Sequence, residues 1–113
     1  MISDQRTNNR MSFFVGGDMY RDALGEKRMG RVIIRDISVD GLCVECLDAL
    51  EVGDGVFVDF EIAGRFFFRH VPVTVTRVQK NQGSYLTGLN LRQGEDRRRI
   101  KSALAFSIES SSS

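Results

Sequence analysis

An all-β fold, a small antiparallel barrel followed by one C-terminal α-helix, is what the pattern of this 113-residue chain predicts. Three observations point to it. From residue 31 onward apolar residues alternate with polar ones in short runs, the signature of half-buried strands. Turn-forming clusters punctuate the runs at Gly53-Asp54-Gly55, near Gly64 and at Lys80-Asn81-Gln82-Gly83-Ser84. After Gly94 the apolar period changes to that of a helix. Strands at regular intervals with no helix between them pair antiparallel, and closing the sheet disposes of its exposed edges.

Taken in order, residues 1–12 are polar and without a clear period, and read as a flexible N-terminal arm. Residues 13–109 read as the barrel domain with its helix, and 110–113 as a disordered serine tail. Phe13 to Gly30, with Gly16-Gly17 and Gly25 among charges, reads as an irregular lead-in holding a short strand at Phe13 to Val15. Arg31 to Arg35 opens the regular part. Leu42, Val44 and Cys46 then alternate with Cys43 and Glu45. Val56, Val58, Phe60 and Ile62 oppose Asp59 and Glu61, Val71, Val73 and Val75 oppose Thr74 and Thr76, and Tyr85 to Leu91 supplies a further strand. From about Glu95 to Phe106, Ile100 and Leu104 recur at helical spacing with Ala103 beside them, and the spacing continues to Ile108; Glu95 and Asp96 suit a helix N-terminus. Arg97-Arg98-Arg99 and Lys101 fall around the other faces and read as a solvated surface, with a basic docking patch as the alternative.

Composition bounds the function. Sixteen basic and fifteen acidic residues nearly cancel, which argues against a field that holds nucleic acid polymer or anionic lipid nonspecifically. No apolar run approaches the length of a membrane span and Met1-Ile2-Ser3-Asp4 does not open a secretory signal, so a cytoplasmic protein is expected. Thirteen Arg stand against three Lys, and Arg is the residue suited to two-pronged contact with phosphate and with the guanine edge. Cys43 and Cys46 form a C-x-x-C pair, but on a strand residues three apart face opposite ways and zinc would want four ligands, so both read as structural and no metal is expected. His70, alone in a Val-rich strand without an evident nucleophile or acid–base partner, reads as structural too, and no catalytic residue is expected.

Two motifs remain. Arg6 and Arg10 stand in R-x-x-x-R spacing in the polar arm, and whether helical or extended they face the same side. The same spacing recurs at Arg31/Arg35 and Arg65/Arg69, where strand alternation makes the arginines ordinary outward charges. Asp36-Ile37-Ser38-Val39-Asp40-Gly41 is a single D-x-S-x-x-G where a strand turns, putting a carboxylate, a hydroxyl and a glycine together.

In these residues the chain resembles the PilZ domain, a bacterial receptor module for cyclic di-GMP. Arg6-Thr7-Asn8-Asn9-Arg10 resembles its R-x-x-x-R element and Asp36 to Gly41 its (D/N)-x-S-x-x-G element, in the same order. Leu50 to Asp54 and Tyr85 to Leu91 resemble a later turn and the final glycine-bearing strand. The resemblance implies a six-stranded antiparallel barrel with a C-terminal helix and a ligand site on the outer wall wrapped by the arm. It implies that Arg6 and Arg10 contact guanine edges and phosphates, that Asp36 and Ser38 hydrogen-bond the nucleotide, and that Gly41 lets backbone come close. Gln5 and Asp40 depart from the usual pattern: the first bears on ligand stoichiometry, and the second adds negative charge near phosphates unless it faces water. The function so implied is a stand-alone adaptor that binds cyclic di-GMP and relays the signal to a protein effector, with no cofactor beyond that ligand. The alternative is a PilZ-like protein-interaction module that binds no nucleotide. A third reading, an oligonucleotide-binding barrel, has only Arg65-Phe66-Phe67-Phe68-Arg69 to offer, and alternation sends Phe67 opposite to its neighbours, as core packing requires.

Overall fold

The structure is a computed structural model that describes the backbone of residues 11–111 and the side chains of residues 15–107. Six strands, β1 (Met11–Tyr20), β2 (Arg28–Ile37), β3 (Gly41–Cys46), β4 (Gly55–Ile62), β5 (Phe66–Asn81) and β6 (Ser84–Leu91), precede α1 (Gly94–Ser111). They close into a barrel in the order β1-β2-β3-β6-β5-β4, every neighbouring pair antiparallel. Alternation places Leu42, Val44 and Cys46 of β3, and Val56, Val58, Phe60 and Ile62 of β4, inside. Met19, Ile34, Val73 and Leu89 meet them there, and Ile100, Ala103 and Leu104 bring the apolar face of α1 into the same core. No helix among the described residues is long and apolar enough to cross a membrane.

The turns explain the closure. Gln82 and Gly83 both take positive φ (25° and 83°) in the loop between β5 and β6, where Asn81 pairs with Ser84; such turns match the twist of the flanking strands. The reversal between β1 and β2 is held by Asp22, whose carboxylate accepts from the N–H groups of Glu26 (3.1 Å) and Lys27 (2.7 Å).

Three boundaries differ from the sequence reading. The lead-in is a ten-residue strand, β1, because Gly16 and Gly17 are close-approach residues and not turn residues. A Cβ on Gly17 would lie 2.5 Å from the Asp59 carbonyl oxygen, and one on Gly16 would overlap the Arg31 guanidinium. The barrel therefore begins at Met11, inside the expected arm of residues 1–12. At the other end α1 runs to Ser111, so residues 110 and 111 continue the helix where a disordered tail was expected, and 112–113 lie outside the described residues.

The basic helix face also divides. Arg98 and Lys101 are exposed, but the Arg97 guanidinium donates to the Leu91 carbonyl (2.5 Å) and that of Arg99 donates to the Phe67 carbonyl (3.0 Å) while lying 4.4 Å over the Phe68 ring. These contacts tie the helix to the ends of β6 and β5, and a cation over an aromatic face adds to the bond. Phe66 meets Phe106 edge-on at 5.4 Å and Phe68 stacks on Phe60 at 4.8 Å, while Phe67 is outward and exposed.

His70 is structural in an unforeseen way. It takes a positive φ of 51° at a bulge where β5 carries an extra residue against β4. Its backbone N–H donates to the Asp59 carboxylate at 2.6 Å, which compensates the strained conformation. The ring Nδ1 stands 2.9 Å from the same oxygen without the alignment of a hydrogen bond, and the ring packs edge-on against Tyr20.

Two outcomes are expected. Gly41→Ala pushes a methyl into the Leu89 carbonyl, a backbone atom that cannot yield without loosening β6; it should cost about 1–3 kcal/mol, read as a lower midpoint in urea denaturation. Asp96 is buried with one carboxylate oxygen unpartnered among the described residues, and that burial, opposed by Arg99 and reinforced by Glu95, pushes its carboxyl above the ordinary range. A carboxyl raised on folding weakens the fold at neutral pH, and the fold recovers as pH falls through the folded value toward the unfolded one of about 3.9. Asp96→Asn should therefore raise Tm at pH 7, with the difference from the parent closing as the pH is lowered toward 4.

Candidate functional site

The D-x-S-x-x-G segment forms the end of β2, the three-residue connection 38–40 and the start of β3. Ser38 and Gly41 exchange backbone bonds, Ser38 N–H to Gly41 O at 2.8 Å and Gly41 N–H to Ser38 O at 3.3 Å, leaving Val39 and Asp40 at the tip. The Ser38 side chain is buried under this loop, and among the described residues its hydroxyl makes only long contacts of 3.4 Å, to the Gly41 carbonyl and from the Asp40 N–H. The loop is tied across to β6 by the Leu91 N–H, which donates to the Asp40 carbonyl at 2.9 Å.

Gly41 does not take a positive φ. It is glycine because β6 passes close by: a Cβ would overlap the Leu89 carbonyl oxygen and lie 3.2 Å from the Asn90 Cα. Backbone does come close here, and it is the protein's own strand.

Beside the loop, the outer wall holds a groove of about 380 Å³ lined by Ser38, Asp40, Gly41, Cys43, Arg77 and Asn90 among others. Its chemistry is mixed, with one carboxylate, one guanidinium, one amide, a thiol and glycine backbone at Gly41 and Gly88. Ser38 and Gly41 thus line one groove together, while Asp36, half-buried, stands at its margin as the cross-strand partner of Cys43. Arg6 and Arg10 lie outside the described residues. The chain nevertheless enters the barrel at this place, since Met11 pairs with Ile37 and Ser12 with Asp36.

Alternation alone would have buried Asp36, because Val32 and Ile34 are inside. A bulge between Ile34 and Asp36 shifts the register against β3, turning Asp36 outward and Ile37 inward. The same device hides Arg77 from sequence reading. Val71, Val73 and Val75 point inward, so parity places residue 77 inside as well, but the register shift between Val75 and Arg77 leaves it exposed on the groove. Gly88 is marked in the sequence only as the glycine of the final strand, and Asn90 carries no signal beyond alternation on β6.

The two cysteines take opposite faces, as alternation required, and form no disulfide with each other. Cys46 points inward, where burial pushes its thiol up, with Sγ 3.3 Å from the Asp48 carbonyl and 3.6 Å from the Thr87 hydroxyl. Cys43 is half-buried on the groove. Among the outward arginines, Arg35 pairs with Glu45 at 2.9 Å and Ser84 donates to the other Glu45 oxygen at 2.7 Å; the Ser84 bond first, then Arg35, hold that carboxyl below its ordinary range.

The sequence pattern of the PilZ domain matches residues 4–106. A search of curated proteins gives no match. Among solved structures, this fold is similar to that of Escherichia coli YcgR in complex with c-di-GMP, with a TM-score of 0.69 and 15% identity over 96% of this chain and 47% of that one. It is similar also to the K. pneumonia MrkH–c-di-GMP complex (TM-score 0.67, 18% identity, 98% of this chain and 55% of that one). A third likeness is to the Bacillus subtilis inhibitor of motility MotI/DgrA (TM-score 0.66, 15% identity, 96% and 52%). The chain spans about half the length of these solved relatives.

The weak internal bonding of Ser38 generates an expectation. Two contacts at 3.4 Å contribute little to folding, so Ser38→Ala should unfold in urea within about 1 kcal/mol of the parent; a larger loss would show that the hydroxyl is there for the turn.

Proposed function

The chain belongs to the PilZ domain family, whose members typically bind cyclic di-GMP, and from that premise we propose that it is a cyclic di-GMP receptor acting as an adaptor toward a protein partner. The observation that carries the reading is the register at the start of β1. Met11 and Ser12 lie opposite Ile37 and Asp36, so the segment bearing Arg6 and Arg10 joins the barrel beside the D-x-S-x-x-G loop and its groove.

The chemistry suits the ligand. Guanine presents O6 and N7 as acceptors, which a guanidinium meets with two parallel bonds, and N–H donors that a carboxylate accepts. Arg6 and Arg10 would supply the first and the phosphate contacts, Asp36 the second. Ser38 would add a hydroxyl that its weak internal bonds leave available, and Gly41, packed against the β6 backbone, would line the groove beside it. In this reading ligand orders the arm against the barrel and thereby changes the surface offered to the effector. The role is that of a receptor in the cytoplasm and not of a catalyst.

Asp40 opposes part of this. It lines the groove and is exposed at the loop tip, where its negative charge would oppose an anionic ligand; this favours, as the second reading, an interaction module that binds no nucleotide.

Calorimetric titration decides between them. Cyclic di-GMP should give heat where GTP and cyclic di-AMP do not, and Arg6→Ala or Asp36→Ala should each weaken binding about ten- to a hundredfold, the loss of one charge-assisted bond. Asp40→Asn should tighten it. No heat from the parent at high micromolar ligand would leave the non-binding module as the function.

A further inference from the structure

The strand registers set out a row of residues across the wall, one from each of five strands. Ser12 pairs with Asp36, Asp36 with Cys43, Cys43 with Gly88 and Gly88 with Arg77. Asp36 and Arg77 are thus three strand steps apart, about 14 Å along the sheet at the usual spacing. Between them the row carries only a thiol and a glycine, and in the adjoining row Gly41 faces Asn90. A cation and an acid therefore bound a shallow trough floored by small groups.

Arg77 is aimed at this trough by a specific distortion. Val75 pairs with Leu89 and Arg77 with Gly88, so Thr76 is an extra residue in β5; its hydroxyl donates to the Gly88 carbonyl at 3.2 Å and steadies the bulge. Gly88 is tight as well as bare, since a Cβ there would lie 3.2 Å from the Thr76 hydroxyl and 3.5 Å from the Arg77 Cβ. The Arg77 guanidinium, exposed on the groove, has no ion-pair or hydrogen-bond partner among the described residues. Arg35, Arg97 and Arg99 by contrast are each engaged with protein groups.

We propose that Arg77 reads the second purine of the ligand, making two parallel bonds to O6 and N7 of a guanine that crosses the Cys43–Gly88 floor while the first guanine is held at Asp36. The inference rests on the cyclic di-GMP reading above and extends it. One guanine at Asp36 and another at Arg77 would make the site a reader of both bases. Adenine at the far position presents an amino group where guanine presents O6, and a guanidinium cannot donate to it.

The test is calorimetric titration of the parent, Arg77→Ala and Arg77→Lys with cyclic di-GMP and with cyclic GMP-AMP, which carries one guanine and one adenine. The parent should prefer the two-guanine ligand. Arg77→Ala should weaken cyclic di-GMP about ten- to a hundredfold and reduce the preference over cyclic GMP-AMP by about tenfold or more. Arg77→Lys should restore little, because an ammonium cannot make the forked contact. Urea midpoints of both variants should coincide with the parent's. If the parent binds cyclic di-GMP and Arg77→Ala binds it equally well, or Arg77→Lys restores both affinity and preference, the inference is overturned and the receptor reading stands. If the parent binds no cyclic di-GMP, the receptor reading fails first and this inference falls with it.

Discussion

The contact between Gly41 and the Leu89 carbonyl, where a single Cβ would overlap backbone, sets the geometry on which the candidate site depends. It draws β3 against β6 at the point where the chain leaves the β2–β3 loop. The bond from the Leu91 N–H to the Asp40 carbonyl fixes that loop from the same side. With the loop held by backbone alone, Ser38 need contribute little to the turn, and the wall formed by β3 and β6 stays bare enough to hold a groove.

Bulges decide which side chains reach that groove. A strand with strict alternation would bury residue 36 beside Val32 and Ile34, and residue 77 beside Val73 and Val75. One extra residue in β2 and one in β5 reverse the parity locally, so that an acid and a cation face outward while Ile37 and Leu89 keep the core closed. A third bulge, at His70, is held by the Asp59 carboxylate on β4. The barrel thus takes its regular parts from alternation and its candidate chemistry from places where alternation breaks.

The helix closes the other part of the problem. Its apolar stripe of Ile100, Ala103 and Leu104 completes the core, and Arg97 and Arg99 satisfy carbonyls at the ends of β6 and of the β5 Phe segment. Those carbonyls lie where strand pairing gives out, so the arginines finish hydrogen bonding that the sheet leaves incomplete. Arg98 and Lys101 remain with solvent, which separates a basic run into two roles by helical geometry alone.

The sequence by itself determined the barrel and the helix, because burial of one face imposes a period of two on β3, β4 and β6 and a helical period after Gly94, and both survive in the residue order. It also marked Ser38, Gly41 and Asp36 as a unit, since a loop this short keeps them together whatever the tertiary context. Tertiary structure decided the rest. That Gly16 and Gly17 belong to a strand depends on how near β2 and β4 approach, and that Arg97 and Arg99 bind the barrel depends on where β5 and β6 end. That Arg77 stands in a row with Asp36 depends on two registers and a bulge, all of them properties of pairing between strands distant in the chain, which no local pattern encodes.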